Sequence, residues 1–264
     1  MVYSRGMIRA GTYSLVLLAG LLAFGCISPQ PQEADPNQAT RHLVAQRISA
    51  VLVTRRTSIQ GWSDGHFPKM YQREDVDGGS AAPITDDGYF LTADHVLERL
   101  KSGRHAFVIY HLDDTLVTAK ARIVWRSASA DLALLHASLK TPYFYQWTPP
   151  QDWLPVGTPV IHGGIATGLK PGSGKLATAL SPEYHFTGAR KFEIDIPLQP
   201  GDSGGPVVDA HGDLVGINSA VEFLVPMDTA FFVDSEGIRP NTRMIADLIK
   251  RDRARKSSAN QTVE

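Results

Sequence analysis

Short apolar runs separated by polar turns recur along the chain from about residue 43 onward. Most runs span four to six residues, and clusters of glycine, proline, aspartate and asparagine stand between them. Representative runs lie at 50–53, 89–92, 106–110, 132–135 and 205–208. Runs of this length between turn-forming residues are typical of β-strands. The pattern therefore predicts an all-β protein of the antiparallel barrel or sandwich type.

Two further segments complete this outline. Residues 141–155 are rich in proline and aromatic side chains, and we expect them to connect two halves of the fold. A C-terminal helix is predicted at about 241–253, because Asn241 and Thr242 supply a cap and an apolar stripe follows. The basic residues after that stripe suit a helix C-terminus, with contact to an anionic membrane surface as the alternative. The tail at 257–264 is predicted to be disordered.

The N-terminus has the layout of a secretory signal peptide at residues 1–25. Arg5 and Arg9 precede an apolar stretch at 15–24, which is shorter than the roughly 20 residues that a membrane-spanning helix needs. Cys26, the only cysteine of the chain, follows a small residue directly. This arrangement resembles the lipobox of bacterial lipoproteins, in which the cysteine is acylated.

We therefore expect a lipid anchor such as palmitate at Cys26, with plain secretion and a retained signal anchor as alternatives. Residues 26–42 contain several prolines and no apolar periodicity, which predicts an extended, lipid-carrying tether. Ile27 after the cysteine resembles the sorting pattern for the outer membrane. The expected location is the cell envelope, on its periplasmic face, with a soluble secreted or periplasmic form as the alternative.

Composition narrows the function further. The chain of 264 residues has 26 basic and 27 acidic residues and a formal net charge of −1. This balance argues against a dedicated nucleic-acid binder, so no nucleic-acid partner is predicted. A single cysteine excludes an intrachain disulfide and a cysteine-rich zinc module. No metal and no cofactor are predicted.

The strongest chemical signal lies at residues 201–206, Gly-Asp-Ser-Gly-Gly-Pro. Glycines on both sides allow the backbone to turn tightly around Ser203 and expose its hydroxyl. In such a turn the N–H groups of Gly201 and Ser203 would point at one spot and form an oxyanion hole. The motif therefore predicts a nucleophilic serine.

A serine hydroxyl needs a base to become a good nucleophile. His95 stands at the end of one apolar run, and Asp131 stands at the start of another. The chain order His95, Asp131, Ser203 is the order of chymotrypsin-type enzymes, and it differs from that of subtilisins and α/β-hydrolases.

Three stretches carry a more specific resemblance: Gly-Tyr-Phe-Leu-Thr-Ala-Asp-His-Val at 88–96, Asp-Leu-Ala-Leu-Leu at 131–135, and the segment from Pro200 through Ser219. Together they resemble the protease domain of HtrA/Deg-type serine proteases. The resemblance implies a protease domain at 43–256 with two six-stranded antiparallel β-barrels, about 45–140 and about 155–235, and a C-terminal helix.

The resemblance also implies roles for individual residues. His95 would act as general base and then acid, Asp131 would orient it, and Ser203 would be the nucleophile. Ser219 would support the triad by a hydrogen bond to Asp131. Because the family's PDZ domains have no counterpart after the predicted helix, regulation through a PDZ domain is not expected.

Two departures from the family pattern bear on the site. Asp202 stands where many relatives have asparagine, and it is expected to find hydrogen-bond donors nearby instead of a new N-terminal amine. Gly79 and Ser80 begin a stretch that lacks the family's usual Gly-Ser-Gly, which leaves the position of the strand before His95 open.

Substrate preference is predicted from three positions. Pro197 and Leu198 stand where an acidic residue would select basic substrates, and Val221 stands where relatives with an open pocket have glycine. A small or medium aliphatic P1 residue, such as alanine or valine, is therefore expected.

The predicted function is a serine endopeptidase that acts on protein or peptide substrates outside the cytoplasm through an acyl-enzyme intermediate. A latent or inactive protease-fold binding or chaperone module at the cell envelope is the main alternative, and an esterase on the same triad is a further one. The sequence leaves a homo-oligomer open.

Overall fold

The computed structural model describes residues 37–59, 67, 76–101, 103–113, 115–167, 170–224 and 231–261. Of residues 220–224, 231–234 and 259–261 only the backbone is described. The predicted signal peptide and Cys26 lie outside the described residues, so the lipid anchor stays a prediction.

The first half of the chain forms a closed six-stranded barrel with the strand order β1-β2-β3-β6-β5-β4. Its strands are β1 Ser49–Thr54, β2 Val76–Pro83, β3 Tyr89–Thr92, β4 His105–Leu112, β5 Thr115–Ser127 and β6 Leu132–Ala137. Strand β1 is buried on both faces. Val51 and Val53 pack inside the barrel, whereas Ala50 and Leu52 pack on its outer face against Phe107 and other apolar residues. This two-sided burial explains why β1 is a continuous apolar run.

The second half forms a six-stranded antiparallel sheet with the order β8-β7-β10-β11-β12-β9. Its strands are β7 Pro159–His162, β8 Gly172–Lys175, β9 Ala189–Ile194, β10 Pro206–Asp209, β11 Leu214–Leu224 and β12 Phe231–Pro240. The sheet curls until its edges touch, since the Asp195 N–H donates to the Lys175 carbonyl at 3.1 Å and the Ala177 N–H to the Glu193 carbonyl at 2.8 Å. The predicted all-β fold with two six-stranded halves is confirmed. The second half is a half-barrel, because in the described residues β8 and β9 do not pair as neighbouring strands and hydrogen bonds join only their ends and the residues just beyond them.

A shared core joins the two halves. Tyr89 and Leu134 of the first barrel pack in one apolar cluster with Ile161 and Ile217 of the second. The C-terminal helix contributes Ile245 to the same cluster. This core holds the two halves in one relative position. Side chains from the two halves can therefore meet in one site.

The C-terminal helix, α2 Thr242–Gln261, begins as predicted and ends later. The side-chain oxygen of Asn241 accepts from the Met244 N–H at 3.2 Å, which is the predicted N-cap. The helix continues through residues 257–261, which belong to the predicted disordered tail. It does so because Asp252 and Lys256 still contact the first barrel, and Lys256 Nζ lies 3.0 Å from a ring nitrogen of His136.

A second helix, α1 Gln38–Gln46, starts inside the segment predicted as tether, five residues before the predicted domain boundary at 43. It folds there because its inner face meets the second half: Val44 is fully buried, and the Thr40 hydroxyl donates to the Ala210 carbonyl at 2.7 Å. Neither described helix combines the length and apolar character that a bilayer-spanning segment requires.

Candidate active site

His95 and Asp131 form a close pair at the edge of the first barrel. His95 lies in a short 3₁₀ turn, Asp94–Leu97, just after β3, and Asp131 lies in the turn between β5 and β6. With its proton on Nδ1, the His95 ring donates to Asp131, whose Oδ2 and Oδ1 lie 2.9 Å and 3.0 Å away. The His95 backbone N–H also donates to Oδ1 at 2.9 Å. This geometry leaves Nε2 as the basic nitrogen and fixes the plane of the ring.

Asp131 has a third donor from the other half of the fold. The Ser219 hydroxyl on β11 donates to Asp131 Oδ2 at 2.7 Å. Burial alone would raise the pKa of Asp131, but the hydrogen bonds from the His95 ring, from Ser219 and from the His95 N–H outweigh it and bring the pKa below its ordinary value. The carboxylate of Asp131 is therefore ionised at neutral pH.

An ion pair that sequence reasoning missed supports this arrangement. Asp94, next to His95, is buried, and Arg126 near the end of β5 binds it in a bidentate manner: Nε lies 2.6 Å from Oδ1 and Nη2 lies 2.8 Å from Oδ2. The pair ties the histidine turn to the strand that leads into Asp131. The sequence contained one signal for this ion pair: Asp94 stands inside an apolar motif, and an aspartate that is buried there needs a charged partner.

Ser203 lies in a tight turn between β9 and β10. Gly201 and Gly204 adopt φ values of +109° and +85°, a region that side chains with a Cβ rarely enter. Packing also requires glycine, since a Cβ on Gly204 would lie 2.2 Å from the Ser80 carbonyl oxygen and one on Gly79 would lie 2.7 Å from that of Ser203. The turn is thus pressed against strand β2.

Two backbone N–H groups of this turn are available to a ligand. Within the described part of the chain, neither Gly201 nor Ser203 has an acceptor for its N–H. The intervening Asp202 N–H, by contrast, donates to the Gln199 carbonyl at 2.9 Å. An oxyanion site needs free donors of this kind that can point at one spot.

Asp202 finds its donors locally, as the sequence predicted. Its fully buried carboxylate accepts from the N–H groups of Ala166 at 3.2 Å and Thr167 at 3.0 Å through Oδ1, and from Gln199 at 3.0 Å through Oδ2. The Thr167 hydroxyl lies 3.3 Å from Oδ1. These contacts hold the Ser203 turn against the segment at 164–167.

His95 and Ser203 border one cleft of about 460 Å³ between the two halves. Asp77, Glu98 and Arg99 form its outer wall. The described residues contain no hydrogen bond from the Ser203 hydroxyl to His95, whose side chain is 38% exposed. Hydrogen bonds between a nucleophile and its base often tighten only when substrate is bound.

Comparison with known proteins agrees with this geometry. The sequence profile described as trypsin-like peptidase domain matches residues 79–217, just over half of the chain. The chain belongs to the trypsin-like peptidase family.

Individual relatives of this peptidase are proteases as well. A probable periplasmic serine endoprotease, DegP-like, from Rhizobium meliloti is 31% identical over 147 residues, which cover 54% of this chain and 28% of the relative. A protein with the same description from Pseudomonas fluorescens is 28% identical over 182 residues, 62% of this chain and 36% of the relative.

The magnetosome formation protease MamE from Paramagnetospirillum magneticum is 28% identical over 193 residues, 67% of this chain and 26% of the relative. This peptidase therefore spans between about a quarter and just over a third of the length of these relatives.

The three residues predicted to select the substrate lie in different surroundings in the peptidase. Pro197 is exposed, whereas Leu198 is buried at 2% exposure in the core of the second half. The side chain of Val221 lies outside the described residues, although its backbone pairs with Ser235 across β11 and β12. Leu198 continues the inward-facing alternation of Phe192 and Ile194, so its side chain packs in the core and does not face the cleft.

Proposed function

We propose that this trypsin-like peptidase is a serine endopeptidase that uses Ser203, His95 and Asp131 as a catalytic triad. The observation that carries the proposal is the chain of hydrogen bonds from Ser219 through Asp131 to His95, in a cleft that also holds Ser203. In this mechanism His95 takes the proton of the Ser203 hydroxyl as its oxygen attacks the substrate carbonyl. Asp131 keeps the imidazole in the correct tautomer and stabilises the imidazolium.

The tetrahedral intermediate then needs donors for its negative oxygen. We assign this role to the N–H groups of Gly201 and Ser203, which have no acceptor in the described chain. Removal of one such donor typically slows an acyl transfer by about 10²–10³-fold. His95 next gives its proton to the leaving amine, and water hydrolyses the acyl-enzyme by the reverse sequence of transfers.

The proposal includes a substrate preference and a location. We propose small or medium aliphatic P1 residues, because Pro197 brings no acid to the region and Val221 stands where relatives with an open pocket have glycine. We propose the periplasmic side of the cell envelope, as in the names of the DegP-like relatives, with a lipid anchor at Cys26.

The experiment is digestion of β-casein by the full chain, with the fragments sequenced by mass spectrometry. We expect cleavage after alanine and valine, and no fragments with the Ser203→Ala variant. Ser49→Ala, a buried serine away from the cleft, serves as the matched control and should cleave like the wild type. Cleavage after arginine or lysine would contradict the substrate preference, and equal cleavage by Ser203→Ala would contradict the triad.

A latent binding module is the second candidate. It is favoured by the missing hydrogen bond between the Ser203 hydroxyl and His95 in the described residues. In that case the wild type and Ser203→Ala would bind casein equally, and neither would produce fragments.

A further inference from the structure

Ser80 links three segments around the nucleophile although it is not a member of the proposed triad. It lies on β2, its side chain is fully buried, and its hydroxyl donates to the Gly201 carbonyl at 2.6 Å. The same oxygen accepts from the Ile165 N–H at 2.8 Å. One hydroxyl thus joins the first barrel, the Ser203 turn and the segment at 164–167.

The backbone of Ser80 makes a second contact with the same turn. Its N–H donates to the Ser203 carbonyl at 2.8 Å. Its own carbonyl accepts from the Thr92 hydroxyl at 2.8 Å, which anchors Ser80 to β3. Ser80 therefore binds the carbonyls of both residues whose N–H groups form the proposed oxyanion hole.

These contacts fix two peptide planes. In the plane between Gly201 and Asp202, Ser80 holds the carbonyl while the Asp202 N–H donates to the Gln199 carbonyl at 2.9 Å. In the plane after Ser203, Ser80 holds the carbonyl while the Gly204 N–H donates to the Asn218 carbonyl at 2.8 Å. A peptide plane that is bonded at both edges cannot rotate without breaking two hydrogen bonds. The N–H groups of Gly201 and Ser203 belong to the preceding peptide planes, so these bonds restrain them through the Cα atoms of Gly201 and Ser203.

The restraint matters most at Gly201. Glycine has more freedom of rotation about its backbone bonds than any other residue, so at φ +109° nothing in the chemistry of Gly201 itself keeps its N–H in one orientation. The Asp202 carboxylate holds the turn from one side through Ala166 and Thr167. Only the Ser80 hydroxyl reaches Gly201 itself among the side-chain hydrogen bonds of the described residues.

We propose that Ser80 is the positioning residue that holds the oxyanion-hole N–H groups in their catalytic orientation before substrate arrives. This inference rests on the proposed function, because it concerns the same oxyanion hole. Ser80 touches neither substrate nor the reacting atoms and acts only through Gly201 and Ser203.

The test compares Ser80→Ala with Ser49→Ala in the full chain. Ser49 is a fully buried serine on the neighbouring strand β1, where it pairs with Ala81, and its hydroxyl makes one long bond of 3.5 Å to the Arg47 carbonyl. A fluorophosphonate is the probe, since its phosphoryl oxygen occupies the oxyanion hole as the serine reacts. Rates are measured against probe concentration and pH.

We expect the limiting rate of labelling to fall by about 10- to 100-fold in Ser80→Ala, below the effect of losing a donor outright, because the donors are misaligned and not removed. The probe concentration that gives half the limiting rate should stay within about twofold. The pH midpoint should not move, since Ser80 has no contact with His95 or Asp131. A general structural effect would shift the half-rate concentration or the pH midpoint as well.

Each outcome decides the matter. Equal limiting rates for Ser80→Ala and Ser49→Ala, with a reactive wild type, would overturn the role of Ser80 and leave the proposed function intact. An unreactive wild type would overturn both. If Ser80→Ala does not fold, Ser80→Cys is tested, since it keeps the shape of the side chain with a slightly larger atom that is only a weak donor, and it should show the same fall. Loss of the fold in both variants would make Ser80 a folding residue and overturn the inference.

Discussion

The carboxylate of Asp252 holds the C-terminal helix against the first barrel. Its Oδ1 accepts from Arg122 Nη1 at 2.7 Å, its Oδ2 accepts from the Tyr89 hydroxyl at 2.7 Å, and the Arg122 Nη2 group also donates to Oδ2. The Asp252 side chain is only 10% exposed. The Arg122 hydrogen bonds prevail over burial and, with that of Tyr89, lower the pKa of Asp252 from 3.8 to about 2.

Asp252→Asn keeps the shape of this side chain and removes its charge. The pKa shift corresponds to about 2.5 kcal/mol of folding free energy at neutral pH, at about 1.4 kcal/mol for each pKa unit. Arg122 is 41% exposed, so water can solvate part of its charge once the partner is neutral. We therefore expect the free energy of unfolding to fall by about 2 kcal/mol, within the range for hydrogen bonds to charged groups.

The assay is urea unfolding of the full chain at pH 7, with Asp247→Asn as the matched control. Asp247 lies on the exposed face of the same helix, so its substitution should change the free energy of unfolding by less than about 0.5 kcal/mol. The urea dependence of that free energy should be alike in all three proteins, which keeps the comparison valid.

The pH dependence gives a second check. Because the pKa of Asp252 is lower in the folded chain than in the unfolded one, its stabilisation is complete above about pH 4 and is lost as the pH falls towards 2. The gap between wild type and Asp252→Asn should therefore narrow across that range. The reasoning would be refuted if Asp252→Asn and Asp247→Asn lowered the free energy of unfolding equally at pH 7. It would also be refuted if the difference between wild type and Asp252→Asn did not change with pH.

Two further substitutions test the site and its packing. Ser219→Ala removes one hydrogen-bond donor to Asp131. Because such a hydrogen bond contributes about 1 kcal/mol, we expect the rate of fluorophosphonate labelling to fall about fivefold and the thermal unfolding midpoint to change little. An unchanged rate would contradict a supporting role for Ser219. Gly204→Ala combines the strain of φ +85° with a Cβ only 2.2 Å from the Ser80 carbonyl oxygen, and it should lower the thermal unfolding midpoint far more than Gly103→Ala, which has φ +79° and open space around it. Similar midpoints for the two glycine variants would show that the close approach is not required.

The sequence identified candidate site residues more readily than the residues around them. His95, Asp131 and Ser203 stand in short motifs whose chemistry is local, because each needs particular neighbours to expose a side chain or bend the backbone. Asp202 was expected to find local donors, and the amides of Ala166 and Thr167 supply them. Which amides these are depends on tertiary packing, which no motif encodes.

Helix α1 and the end of α2 were missed for a common reason. Both segments are polar, and each folds because a few side chains meet the body of the protein: Thr40 and Val44 in α1, Asp252 and Lys256 in α2. Helix propensity and apolar periodicity detect such segments poorly when tertiary contacts stabilise them.

Leu198 and Ser80 show two ways in which prediction from the sequence fails: the first residue was given a role in the site, and the second was given none. Leu198 was predicted to select the substrate, although the alternation of buried residues from Phe192 onward assigns it to the core. In the sequence, Ser80 stands out only as part of a departure from the family pattern. Its contacts to Gly201 and Ile165 join residues far apart in the chain, so no local pattern could predict them.

The most direct test of the central claim is fluorophosphonate labelling of the full chain, followed by peptide mapping of the modified residue. The triad predicts that close to one label binds each chain, that the label is on Ser203, and that Ser203→Ala and His95→Ala lose it while Ser49→Ala keeps it. A label on another residue, or equal labelling of wild type and His95→Ala, would contradict the assignment of His95 as the base that activates Ser203.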